Sequence, residues 1–179
     1  VAARWSERAQ AIAAGLAEPP PLDLTLRDPA QTEHFKTQLA ADSLMPGHLR
    51  LPRGAAVETL PGFEAGAWWV QDLAASLPAR LLGAGEGRTA LDLCAAPGGK
   101  TLQLAAQGWK VTALDISKRR LDLLKANLKR TDLSAGTIRA DALKWEPKHR
   151  YDAILIDAPC TATGTARRHP DVLHRIGAR

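Results

Sequence analysis

The chain has little cysteine and no long apolar run, and each shortage excludes a class of protein. Only Cys94 and Cys160 are present among 179 residues. They lie far apart and in no metal-ligand spacing, which excludes a disulfide framework and leaves no zinc site to expect. A reducing compartment fits. No apolar stretch approaches the roughly 18 residues needed to cross a bilayer. The small-residue run from Ala11 to Ala17 is short and flanked by Glu7 and Glu18, so it suits an amphipathic helix better than a signal peptide. A soluble cytoplasmic protein with no membrane and no metal partner is the expectation. Internal repeats and low-complexity tracts are also lacking. The first residue is Val1 and the stretch from Asp171 to Arg179 carries no terminating signal, so a fragment at both ends is expected.

What is present is enough for one full domain, or a partial domain with a small neighbour, at 45% hydrophobic content. The net charge of +5 is unevenly placed. Residues 1–116 carry 10 Lys+Arg against 12 Asp+Glu, and 117–179 carry 14 against 7, giving −2 and +7. A basic half attracts polyanions, of which RNA and DNA are the commonest.

Residues 4–17 read as a helix, ended by Glu18-Pro19-Pro20-Pro21 because proline removes a donor and clashes with the preceding turn. Leu22–Leu26 alternates as a strand does, 30–41 is helix-like, and 48–51 and 57–60 are further strand candidates. These form a small α+β subdomain over 1–60. Pro61-Gly62 punctuates it, and Trp68-Trp69, read as core packing rather than base stacking, opens a second domain over 61–179. From there strands and helices alternate: helix 71–82, strand 89–94, helix 99–107, strand 110–114, a helix N-capped by Ser117 and running to about Arg130, then strands 136–139 and 152–156. Such alternation predicts an α/β fold with a parallel sheet covered by helices on both faces.

The segment from Leu91 to Thr101, LDLCAAPGGKT, is a strand running into a small-residue turn and then a helix. Ligands of open α/β sheets bind at the carboxyl ends of strands, where glycines let the backbone approach and the helix N-terminus offers free N–H groups. Asp115 closes the next strand about twenty residues on, where a carboxylate can accept from both ribose hydroxyls. A nucleoside-containing cofactor is indicated. A phosphate-binding loop ending in Gly99-Lys100-Thr101 needs a glycine at position 94, which is Cys94; an ATPase with Ala153–Asp157 as its second motif is the minor alternative. The G-x-G-x-x-G of nicotinamide-binding folds is absent as well. S-adenosylmethionine carries no phosphate and needs neither loop. Cys94 itself reads as a small buried residue whose backbone matters.

A second segment, IDAPCTATG from Ile156 to Gly164, follows the fourth strand of this region and puts Asp157 and Cys160 beside the first. Carbon-5 of cytosine is too poor a nucleophile to take a methyl group directly. A thiolate adding to carbon-6 makes it one, and a carboxyl group near ring nitrogen-3 assists. The basic cluster Arg167, Arg168 and His169 just after this loop is a candidate RNA contact.

The segments GFEAGAWWVQDLAAS, LDLCAAPGGKT, ALDIS, AD, LIDAPCTATG and RRHPD occur in the order and spacing of the RsmB/Sun/NOP family of RNA cytosine-5 methyltransferases, which this chain resembles over about 61–171. The bacterial ribosomal RNA enzymes are the most similar, and the preceding part weakly matches the family's RNA-recognition-like subdomain. The resemblance implies a Rossmann-like class I S-adenosylmethionine-dependent methyltransferase domain, here cut after its fourth strand, acting on RNA. It implies that Cys94, Ala95, Ala96, Pro97, Gly98, Gly99 and Lys100 line the methionine and ribose side of the cofactor. Asp115 would then hold the ribose, Asp141 lie near the adenine, and Asp157 face both cofactor and target base. The cysteine matching Cys160 assists product release in that family, while the attacking cysteine sits in a Thr-Cys motif on a later strand. On that basis the nucleophile is expected beyond Arg179, and a non-catalytic cofactor- and RNA-binding fragment is the alternative.

Overall fold

The computed structural model describes residues 6–18, 20–52, 54–161, 165–169 and 172. They fall into two units, Leu22–Ala158 and a smaller one drawn from Val1–Pro21 and Pro159–Arg179.

The larger unit begins with an antiparallel sheet ordered β2-β3-β1-β4, made of β1 (Leu22–Leu26), β2 (Asp42–Met45), β3 (His48–Leu51) and β4 (Trp68–Val70). Leu24 and Leu26 of β1 pack with Leu49, Leu51 and Trp68 against Phe35 of helix α2 (Thr32–Gln38). A single 3-10 turn, Pro29–Gln31, leads into α2, with the Asp28 carboxylate accepting from the Ala30 N–H. The helix expected over 30–41 therefore stops at Gln38, and Ala40 turns the chain with φ 46°.

Two expectations change here. Residues 57–60 form a 3-10 turn, Val57–Thr59, because Thr59 donates from both its N–H and its hydroxyl to the Ala56 carbonyl instead of to a neighbouring strand. The tryptophan pair, expected to open the second domain, is instead the fourth strand of the first sheet, paired antiparallel with β1. Successive strand residues point to opposite faces. Trp68 accordingly joins the core under the antiparallel sheet and Trp69 the core of the following region. Both indole N–H groups are satisfied, on the Pro61 carbonyl and the Gln71 side chain.

The second sheet is parallel and ordered β7-β6-β5-β8, from β5 (Thr89–Leu93), β6 (Lys110–Asp115), β7 (Gly136–Arg139) and β8 (Ala153–Ile156). Its helices are α3 (Leu73–Leu81), capped by Asp72, α4 (Gly99–Ala106), and α5 (Lys118–Arg130), capped by Ser117. Register puts Ala90, Val111, Asp92, Ala113 and Leu155 on one face. All three helices pack on that face, through Ala79, Leu102, Leu104, Leu121, Leu124 and Leu128. Among the described residues of this unit helices thus cover one face: β5, α4, β6, α5 and β7 wind in one direction, and right-handed crossovers of one direction stay on one side. The chain changes direction on passing from β7 to β8, which makes the gap between β5 and β8 the switch point of the sheet.

A buried amide network joins the two sheets. Gln71 accepts from Trp69 and donates to Gln103 of α4, and Gln103 donates to the Ser76 carbonyl of α3. The smaller unit contains a 3-10 turn, Ser6–Arg8, and helix α1 (Ala9–Ala17), with Arg167 donating to the Glu18 carbonyl at 3.1 Å. Residues 4 and 5 of the expected first helix lie outside the described residues.

Candidate functional site

The switch point is occupied by the turn that follows β5. Cys94 ends the strand in a left-handed conformation, φ 60°, and Gly98 turns the chain into α4 with φ 110°. A side chain at Gly98 would also run into Leu124 of α5 at 2.9 Å, so both conformation and space demand glycine there. The Ala95 N–H donates to the Leu114 carbonyl, which fixes the turn against the end of β6.

Asp115, at the end of β6, is buried and organises the turn. One carboxylate oxygen accepts from the Ala96 N–H at 3.1 Å and the other from the Ser117 N–H at 2.8 Å. Arg120, in the first turn of α5, donates to the Ala96 carbonyl and brings its Nη1 to 3.7 Å from Asp115. Asn127 donates to the Pro97 carbonyl at 3.3 Å. The turn is therefore tied to α5 along its length.

Asp157 follows β8 and is 57% exposed at its side chain. Its N–H donates to the Leu93 carbonyl, which holds it beside the end of β5, and its carboxylate pairs with the Lys100 ammonium at 2.7 Å. Asp141, just past β7, is half-buried, and its carboxylate accepts from the Leu143 N–H at 3.0 Å to close a turn. Cys94 to Lys100, Asp115 and Asp157 thus converge at the carboxyl ends of three adjacent strands, with Asp141 after the fourth.

Cys160, Arg167, Arg168 and His169 belong to the smaller unit. Cys160 is exposed, and the three basic residues are exposed in a turn whose Arg168 and His169 N–H groups donate to the Thr165 carbonyl. Asp171 and residues 162–164 lie outside the described residues.

Two groups at this site were not singled out from sequence. Asp92 is fully buried in the middle of β5. Thr101 of α4 donates to one of its oxygens at 2.6 Å, and the other has no hydrogen-bond partner. Burial pushes its pKa up to about 6, against the pull of the Thr101 hydroxyl and the Lys100 charge. An acidic residue between two leucines of a strand was the available signal. Arg120 is the other, and no local pattern announces a guanidinium that reaches back to a turn twenty-four residues earlier. The Cys94 thiol is pushed up by burial and next by the Asp115 charge, so it stays a thiol near neutrality, as suits a residue used for its backbone.

The carboxylates of this set outnumber its cations: Asp92, Asp115 and Asp157 stand around a turn beside which the Lys100 ammonium is paired with Asp157 and the Arg120 guanidinium lies 3.7 Å from Asp115. Such a set suits hydroxyl groups and a cationic ligand and repels phosphate. Among the described residues no His, Cys, Asp and Glu side chains are grouped to hold a metal ion, and no helix is long and apolar enough to cross a membrane.

Residues 79–177 match the family described as 16S rRNA methyltransferase RsmB/F. The chain is 38% identical to ribosomal RNA small subunit methyltransferase B of Cronobacter sakazakii over 94% of its own length and 42% of that protein's. It is 46% identical to the protein of that name from Yersinia enterocolitica over 71% of this chain and 31% of that one. The chain therefore spans less than half the length of these relatives. Among solved structures, that of PH0851 superposes with a TM-score of 0.86 at 26% identity, over 98% of this chain and 43% of that one. The structure of NSun6 from Pyrococcus horikoshii with SFG gives 0.74 at 20% identity, over 87% and 67%, a likeness of fold. With more than half of its residues in the family match, the chain belongs to the RsmB/F family of 16S rRNA methyltransferases.

Proposed function

We propose that this chain is the cofactor-binding part of an S-adenosylmethionine-dependent enzyme that methylates carbon-5 of cytosine in ribosomal RNA, working in the cytoplasm. The observation that carries the reading is the turn from Cys94 to Lys100 at the switch point, ringed by Asp92, Asp115 and Asp157. S-adenosylmethionine, when bound, supplies the methyl group as a sulfonium, a cation without phosphate. The residues of the turn line its methionine and ribose side, Asp115 has free lone pairs for the ribose hydroxyls, and Asp141 stands on the adenine side. Asp157 faces the target base, where its carboxyl group in the protonated form donates its O–H to ring nitrogen-3, and the Lys100 ammonium holds the ionised carboxylate in place. Cys160 serves release of the methylated base, and Arg167, Arg168 and His169 contact the RNA. The segment up to about residue 60, which bears β1, β2 and β3, is the RNA-recognition-like subdomain of the same reading.

Isothermal calorimetry tests the cofactor. The chain is expected to bind S-adenosylmethionine or its demethylated product and not ATP. Asp115→Ala is expected to weaken that binding more than tenfold, which corresponds to about 1.4 kcal/mol or more. Thermal unfolding should be followed beside it, because the same carboxylate anchors two backbone N–H groups. Magnesium-dependent ATP binding with no response to S-adenosylmethionine would overturn the reading.

A further inference from the structure

Helix α5 buries Leu121, Leu124 and Leu128 and exposes a row of cations on its other side. Two of its arginines have structural tasks. Arg120 holds the cofactor-site turn, and Arg130 lies 4.2 Å over the Phe63 ring and donates to the Phe63 and Trp68 carbonyls. Lys118 is paired with Asp122 at 3.3 Å, an exposed contact worth little. Arg119, Lys125 and Lys129 are exposed, and no side-chain hydrogen bond or ion pair engages them among the described residues.

Three observations make this more than a solvated face. Lys118, Arg119 and Arg120 fill the first helical turn, which has no acidic residue. Cations there oppose the helix dipole at a cost of about 0.3–1 kcal/mol each, so helix stability does not explain them. Charge within the larger unit is also polarised: residues 116–158 hold ten Lys+Arg against six Asp+Glu, net +4, whereas 22–115 hold eight against ten, net −2. Finally, Lys118, Lys125 and Lys129 fall within roughly 40° of one another around the helix and span about 16 Å along it. The row begins where α5 leaves Asp115 and runs down the flank of the sheet away from the cofactor end.

We propose that this face of α5 is a track for the RNA phosphate backbone, holding the strand that leads away from the nucleotide presented at the cofactor end. The assignment rests on the RNA-substrate reading above and adds a contact surface to it. Lysines spaced along one stripe bind phosphates as point charges and read no sequence, so the track sets affinity and register while the choice of base is left to the site.

The test is fluorescence anisotropy of the full 179-residue chain with a labelled RNA hairpin carrying an unpaired cytosine, over a salt series. Lys125→Gln with Lys129→Gln is compared with Lys36→Gln with Lys110→Gln, which removes the same charge elsewhere. Glutamine keeps the helix propensity of lysine, so α5 should stay folded. The α5 pair is expected to lose about tenfold in affinity at low salt and to flatten the log–log salt slope by about 1–2, with S-adenosylmethionine binding unchanged. Equal behaviour of the two double variants overturns the track. A chain that binds cofactor but no RNA also overturns it and leaves the cofactor assignment standing. Loss of cofactor binding beside an intact α5 effect overturns the cofactor assignment and leaves the track.

Discussion

Each sheet of the larger unit buries an aspartate within a central strand, Asp23 in one and Asp92 in the other, and the two are treated in opposite ways. Asp23 of β1 is 1% exposed and Asp92 of β5 is 0% exposed. Asp23 takes a two-pronged contact from Arg50 of β3, at 2.7 and 2.8 Å, and accepts from the Leu73 N–H at the start of α3. His48 Nε2 lies 3.3 Å away. Burial alone would raise the Asp23 pKa, yet Arg50, Leu73 and His48 together bring it below the ordinary value. Asp92 has Thr101 and an orphan oxygen, and burial wins. A carboxylate with a full set of partners ties β1, β3 and α3 together. One left half-satisfied beside a ligand turn stores a cost that folding alone does not require.

The largest expected effect comes from breaking the satisfied partner. Asp23→Asn removes the charge-assisted contacts while keeping the shape, and should cost about 3 kcal/mol at neutral pH by urea denaturation, the half-exposed Arg50 limiting the loss. Its folded pKa is lowered, so the contribution is present above the unfolded value of 3.8 and fades as pH falls below it. The gap between wild type and variant should therefore narrow in acid. A gap independent of pH would mean that the charge of Asp23 does not matter.

Asp92 should show the opposite sign. Its folded pKa, about 6, lies above the unfolded value, so the folded state is favoured at low pH and loses stability as pH rises from about 4 through 6. A shift of about two units corresponds to about 3 kcal/mol at most. Stability profiles of wild type and Asp92→Asn should diverge across that interval and run parallel outside it. Parallel profiles throughout would place the Asp92 pKa at its ordinary value.

This contrast was only partly legible in the sequence. Elements with a strong local signal came out with the bounds read from it: Leu22–Leu26, His48–Leu51 and Gly136–Arg139 as strands, and Ser117 as the cap of α5. The small-residue turn after β5 and the acidic ends of β6 and β8 were equally visible, because a turn and a strand end are local features. β4 was not, since three residues are too few for a period to show and its pairing with β1 is set by tertiary contact. The fate of Asp92 depends on α4 closing over β5, and the one-sided packing of α3, α4 and α5 depends on strand order. Neither property is written in any window of neighbouring residues.

The smallest and sharpest effect should come from Thr101. Its hydroxyl donates to Asp92 at 2.6 Å and is the one side-chain hydrogen bond that Asp92 accepts among the described residues. That bond favours the ionised carboxylate and opposes burial. Thr101→Val keeps the branched shape in a fully buried position and removes the donor. The Asp92 carboxyl should then titrate above its present value of about 6, and the pH interval over which stability declines should extend upward by the same amount. A stability loss of about 1 kcal/mol is expected at neutral pH. Carbon-13 NMR of aspartate-labelled protein follows the titration directly. If the midpoint stays where it is, Thr101 does not hold the charge of Asp92, and the contrast with Asp23 comes from the surrounding charges and not from the count of hydrogen bonds.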